Sequence, residues 1–165
     1  MELFTNEQIQ NLITCEKIIT EPPKKEMKLE NGSFRKDMKV ESIKENYQFS
    51  VFIRKHELFS ENFSIGLKYN SMEGKSIILY RCNGPHNNKS FNDLEIPHVK
   101  YHIHKIDAED LNNELEEPKR VTITECYATY EDALAYFIRE TGIRDAESYF
   151  PELQASLSLF EEGES

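Results

Sequence analysis

Residues 47–55 read YQFSVFIRK, and their alternation decides the class of fold. Tyr47, Phe49, Val51 and Ile53 recur with a period of two, so an extended backbone places them on one face. Aromatic and β-branched side chains favour that pleated, half-buried setting. The same period continues on both sides. Downstream, FSIGLKYN aligns Phe63, Ile65, Leu67 and Tyr69, and SIILYRC follows a Glu73-Gly74 turn. Upstream, DMKVESI alternates Met38, Val40 and Ser42 against charged neighbours. MKLENGS implies a strand and a turn at Asn31-Gly32, a dipeptide suited to tight hairpins. Further strands are expected over 97–105 and 120–127, about six to seven in all. Short strands spaced by turn residues, with no helices between them, predict an antiparallel meander.

Helices are expected at the two ends. Thr5 and Gln8 fit a capping box, and Ile9, Leu12 and Ile13 follow at helical spacing, with Glu16-Lys17 able to continue it. The prolines of TEPPKK close this helix, so its region is taken as 1–20. Thr129 is a natural N-cap, with Glu131 and Asp132 in the favourable first turn. Ala133, Leu134, Phe137 and Ile138 form the apolar stripe of that second helix, and Gly142 is a natural stop. Asp145 can cap one more segment, with Pro151 near its end. DAEDLNNELEEP (107–118) carries six acids and no base, and reads as a short helix capped by Asp107 or as a solvated loop. The expected fold is α+β in a single domain, 1–165. A sheet over 25–127 has its apolar face covered by the N-terminal helix and by helices within 129–158, and 159–165 frays.

Composition narrows the class. The 165-residue chain is 38% hydrophobic and 30% charged, with ten Phe and eight Tyr supplying the large buried area that a single core requires. No apolar run approaches the ~18 residues of a membrane span, and the N-terminus lacks the basic start and apolar stretch of a signal peptide. The chain therefore reads as cytoplasmic, with no membrane partner. Cys15, Cys82 and Cys126 are odd in number, widely spaced and without a C-x-x-C pair, so they are expected as small buried hydrophobes rather than disulfides.

The net charge of −10 is unevenly distributed. Residues 24–55 hold nine Lys or Arg against five acids, whereas residues 56–165 hold ten against twenty-one. So negative a field repels phosphate backbones, and nucleic-acid contact must be local and use the basic N-terminal half. A basic protein partner is electrostatically easier.

Chemistry concentrates in RCNGPHNNKSFNDLEIPHVKYHIHK (81–105), which contains four of the five histidines. On a strand, His98, Lys100, His102 and His104 point one way while Val99, Tyr101 and Ile103 point the other. The apolar set is expected beneath the helices, leaving three imidazoles on the open face. Ile77, Leu79 and Arg81 alternate with Ile78, Tyr80 and Cys82, so pairing of the two strands brings Arg81 to the histidine face and sends Cys82 to the core. His86 follows the Asn83-Gly84-Pro85 corner, itself an obvious turn.

Three roles fit the histidines. His98, His102 and His104 can grip a divalent metal such as zinc or manganese. Two imidazoles can act as general acid and general base beside an arginine that steadies a phosphate, which is the chemistry of metal-free RNA cleavage. Histidines on a solvated sheet face can also simply hydrogen-bond across strands. His56, isolated in RKHELF, reads as a surface residue. There is no Gly-rich phosphate loop, no G-x-S-x-G and no recognisable Cys–His signature.

The order Arg81, NGPHNN (83–88), PHVKYHIH (97–104) and the helix TYEDALAYFI (129–138) resembles the small bacterial proteins of the TumE type, and a related uncharacterised bacterial family with a G-P-H…H-x-H core. The resemblance covers residues 76–140, with the earlier strands matching by pattern. It implies a toxin of a toxin–antitoxin pair from a mobile or defence locus, with a cognate antitoxin or other regulatory protein as partner. It also implies that Arg81, His86, His98, His102 and His104 form the common face. The chain departs from the pattern in its N-terminal helix, its acidic insert after His104 and its acidic tail.

Two functions are therefore expected. One is a toxin-like ribonuclease acting through Arg81, His86, His98, His102 and His104. The other is a non-enzymatic acidic protein, an inhibitor, antitoxin or complex subunit, that docks a basic partner.

Overall fold

The computed structural model describes residues 4–85 and 100–153. The elements in chain order are α1 (Asn6–Thr14), β1 (Lys17–Glu21), β2 (Lys28–Glu30), β3 (Ser33–Ser42), β4 (Gln48–His56), β5 (Phe63–Asn70), β6 (Ser76–Asn83), β7 (His102–Lys105), α2 (Ala108–Asn112), β8 (Val121–Ile123) and α3 (Tyr130–Glu140). A short 3-10 turn follows over Ala146–Ser148. Among the described residues the strands form one eight-stranded sheet in the order β1-β3-β4-β5-β6-β7-β8. All its strand pairings are antiparallel. β2 pairs with the same edge of β3 that carries β1 further along. The fold is α+β, as the alternating pattern predicts.

One face of the sheet holds the core. Met38, Val40, Phe49, Val51, Ile53, Ile65, Leu67, Tyr80 and Cys82 belong to one buried cluster with Ile9, Leu12 and Ile13 of α1 and Ala133, Leu134 and Phe137 of α3. Tyr80 stacks on Phe137 with ring centroids 6.2 Å apart. Phe137 is fully buried at the centre of this contact, so Phe137→Ala is expected to lower stability by ~3–5 kcal/mol. An urea unfolding midpoint that stays at the wild-type value would refute this placement.

The helix ends follow their local signals. Thr5 and Gln8 form the capping box of α1, and Thr129 Oγ1 accepts from the Asp132 amide at 3.1 Å to start α3. Asp107 and Asp110 cap each other's amides, so the acidic stretch is the helix α2. Gly142 takes φ +67 immediately after α3, the left-handed stop that glycine adopts without strain. Asp145 precedes the 3-10 turn but makes no side-chain cap.

Four expectations change. The N-terminal helix ends at Thr14, and residues 17–20, expected within it, belong to β1 (Lys17–Glu21). Cys15 leaves the helix extended at φ −60, ψ 149, and the β-branched KIITE segment then pairs with β3. Lys17 is completely buried. Its ammonium donates to the carbonyls of Ile13 (2.8 Å), Cys15 (2.9 Å) and Thr141 (2.7 Å), where α1 and α3 both end. Second, the strands expected over 97–105 and 120–127 shorten to His102–Lys105 and Val121–Ile123, with 86–99 outside the described residues. Third, a bulge shifts the β5–β6 register at Leu67/Lys68, pairing Tyr69 with Ile77 on the core side and breaking the alternation through Leu79. Fourth, only Cys82 is a buried thiol, whereas Cys15 is half-buried and Cys126 exposed. No helix among the described residues is long and apolar enough to cross a membrane.

Burial also sets the response to alkali. It keeps the Tyr80, Tyr127 and Tyr130 hydroxyls protonated far above their ordinary value, and it pushes the Cys82 thiol up to about 12. In the unfolded chain the thiol titrates at 9.0 and the phenols at 10.0. Above these values the folded chain binds more protons than the unfolded one, so stability falls as pH rises. Lys17 acts in the opposite sense, because burial lowers its pKa from 10.5 to about 8 and the unfolded chain then holds the extra proton. One group is outweighed by four. The urea midpoint is expected to change little around pH 8–9 and to drop steeply beyond pH 10; a midpoint still rising there would contradict the burial of these phenols.

Candidate active site on the outer sheet face

Antiparallel register decides which side chains meet, because directly opposed residues share a face. One row across the sheet runs Asp37, Phe52, Gly66, Arg81, His104, Val121, and the next runs Arg35, Arg54, Ser64, Asn83, His102, Ile123. Tyr80 and Cys82 alternate with Arg81 and Asn83 onto the core face. The face carrying Arg81, His102 and His104 is therefore the outer one, turned away from α1 and α3, as the period-two reading requires. β6 lies directly beside β7, which places Arg81 opposite His104 and Asn83 opposite His102.

The expectation that His102 and His104 stand open to solvent is overturned: they are 0% and 5% exposed. β7 lies between β6 and β8, so Arg81 and Asn83 on one side and Val121 and Ile123 on the other flank the two rings within the face. The two rings pack edge to face with centroids 5.0 Å apart. His102 Nδ1 lies 2.7 Å from the Lys100 carbonyl. A carbonyl only accepts, so Nδ1 carries the proton and donates, and Nε2 is the basic nitrogen of the neutral ring. Tyr127 Oη sits 3.0 Å from the Asn83 carbonyl and 2.8 Å from that of His102, bridging β6 and β7 with one shared proton. Local anchors thus hold the His102 ring and the strand that carries it.

Arg81 is half-buried, and its buried Nε has no hydrogen-bond acceptor among the described residues. Burial presses the guanidinium pKa down, while Glu117 pulls it back up. The site thus holds a partly desolvated cation beside two imidazoles. His86 and His98 lie outside the described residues. The metal set of His98, His102 and His104 therefore has two described members, and the described residues contain no group of three or more His, Cys, Asp or Glu placed to hold an ion. His56 stays apart, its Nδ1 accepting from the amides of Leu58 (3.1 Å) and Phe59 (3.2 Å) in a surface turn.

Phe52 is the site residue that the apolar periodicity passes over. It sits between Val51 and Ile53, on the opposite face from the core set, directly across from Gly66. A Cβ built on Gly66 would lie 2.1 Å from the tip of the Phe52 ring, so only glycine lets the ring rest on the β5 backbone. Arg54 Cζ and Lys68 Nζ sit 5.4 Å and 5.3 Å from the ring centroid. A glycine inside a strand marks close approach of something to its backbone, and that was the available signal.

The outer face carries both signs of charge, with Asp37 and Glu41 alternating with Arg35 and Lys39 along β3. Arg35, Lys39 and Arg54 are each paired with a carboxylate, Glu30, Glu21 and Asp37 respectively. Among the described residues Lys68 and Arg81 form no such ion pair. Lys68 and Arg81 thus stand along the row of Phe52, Gly66 and His104, with Glu117 acting on Arg81 from a distance. No family model, no curated protein and no solved structure matches this chain.

Proposed function

We propose that the protein is a metal-independent ribonuclease of the toxin type, cleaving single-stranded RNA at the Arg81–His102–His104 cluster. The observation that carries the reading is the strand register, which sets a guanidinium and two imidazoles side by side on one face. Arg81 steadies the scissile phosphate. One imidazole takes the 2′-hydroxyl proton as the oxygen attacks phosphorus, and the other returns a proton to the departing 5′-oxygen. The products are a 2′,3′-cyclic phosphate and a free 5′-hydroxyl. The reaction needs one ring neutral and the other protonated, and the two rings lie 5.0 Å apart, within reach of one phosphodiester. The nucleophile belongs to the substrate, so a closed, water-poor site suits the step.

The purified chain is expected to cut a labelled single-stranded RNA in the presence of EDTA, and to leave DNA of the same sequence intact because DNA lacks the 2′-hydroxyl. Cleavage of both, or loss of cleavage with EDTA, would refute this mechanism.

A second reading is favoured by the near-complete burial of His102 and His104. On it, the chain is a non-enzymatic module whose acidic end docks a basic protein, such as a cognate antitoxin. Glu73, Glu114 and Glu116 rim a cleft of about 150 Å³ with an apolar floor that includes Phe4, Tyr69 and Leu115. In that event Glu114→Lys together with Glu116→Lys is expected to abolish partner binding, and binding is expected to weaken with salt. Histidine substitutions that leave the fold intact would then be silent.

A further inference from the structure

The geometry points to Phe52 as a base-stacking platform on the outer face, flanked by Lys68 and Arg54 and joined through Gly66 to the phosphate-holding Arg81. This assignment rests on the RNA reading above and adds to it where the substrate lies. Three observations converge. The tip of the Phe52 ring occupies the space that a Cβ at position 66 would fill, a placement only glycine allows. It is half-buried rather than covered, on the face opposite the core. Lys68, on the adjacent strand β5, stands 5.3 Å from the ring centroid, and Arg81 lies one strand further on the same side, on β6. Strands are ~4.8 Å apart, so the ring and Arg81 are separated by roughly 10 Å of sheet, within the span of one strand of RNA.

The occupant follows from charge and shape. A pair of bases beside an aromatic ring attracts phosphates, and every nucleobase offers a π-face to the ring, so the platform is sequence-tolerant. The chain as a whole is strongly acidic, which excludes wide electrostatic attraction and confines contact to this patch.

Binding is measured apart from cleavage with a fluorescein-labelled 2′-O-methyl oligouridylate, whose nucleophile is blocked, by anisotropy with the full chain. Phe52→Leu is expected to weaken binding ~5- to 150-fold, the value of one stacked base. Phe52→Tyr is expected to bind as the wild type does. Should Phe52→Leu fail to fold, Lys68→Gln with Arg54→Gln carries the test, with an expected loss of affinity and a shallower salt dependence. If wild-type binding is retained by Phe52→Leu, or if Phe52→Leu lowers only the melting temperature, the platform is overturned while the nuclease reading stands. If the oligonucleotide binds through Phe52 but natural RNA is never cut, the platform stands and the nuclease reading falls. Absence of any binding by the wild-type chain overturns both.

Discussion

Lys17→Met is expected to lower the unfolding free energy by ~3–5 kcal/mol, although it replaces a buried charge with an apolar side chain of similar length. The usual argument would favour the replacement, because an ammonium taken out of water is costly. Here the ammonium is the donor for three main-chain carbonyls, at 2.7, 2.8 and 2.9 Å, and stands 4.8 Å from the centroid of the Phe49 ring. Those carbonyls belong to the ends of α1 and α3, where the helix dipoles are negative. Methionine leaves the Ile13 and Thr141 oxygens buried without this donor and the Cys15 oxygen partly so, and each orphaned buried acceptor costs ~1–3 kcal/mol before relaxation. Relief of ammonium desolvation offsets part of that. Urea unfolding measures the difference, and a loss below ~1 kcal/mol would show that water replaces the ammonium without penalty. Lys17→Arg is expected to destabilise too, since a planar fork does not match three oxygens converging on one nitrogen.

His102→Asn is expected to reduce RNA cleavage by roughly 10²–10⁴-fold, the contribution of a positioned proton-transfer group. Asparagine is the informative substitution because its amide can still donate to the Lys100 carbonyl, in place of Nδ1, while supplying no basic nitrogen. Alanine at a fully buried position would also open a cavity and confuse folding with chemistry. Thermal unfolding of His102→Asn should therefore stay near that of the wild type. Arg81→Ala should act in the same direction through lost phosphate positioning, and kcat of the wild type should pass through a maximum as pH is varied, because the reaction needs one ring protonated and one neutral. Full cleavage by a folded His102→Asn variant would remove His102 from the mechanism.

Much of the architecture was legible because it is local. Phe49, Val51 and Ile53 lie on the core face because a strand has a period of two, whatever it packs against. Asn31-Gly32, Thr5, Asp107 and Thr129 set their turns and caps through their own backbone neighbours, within a few residues. The side of the sheet on which Arg81, His102 and His104 fall was legible for the same reason.

What the tertiary structure decided is non-local. Residues 17–21 are a strand rather than more helix because β3, some twenty residues on, offers an edge, and because Lys17 finds the end of α3 more than a hundred residues away. The β5–β6 bulge reverses the facing of Ile77 by adding one residue to one strand, a change of phase that alternation alone does not register. The burial of His102 and His104 was not legible, since a strand's pattern specifies its faces but not how exposed each face is in the folded chain. Phe52 acquires its position from Gly66, and neither residue means much until the register sets them opposite one another. Periodicity is a property of one segment; burial and juxtaposition belong to pairs of segments, and only the folded chain brings those pairs together.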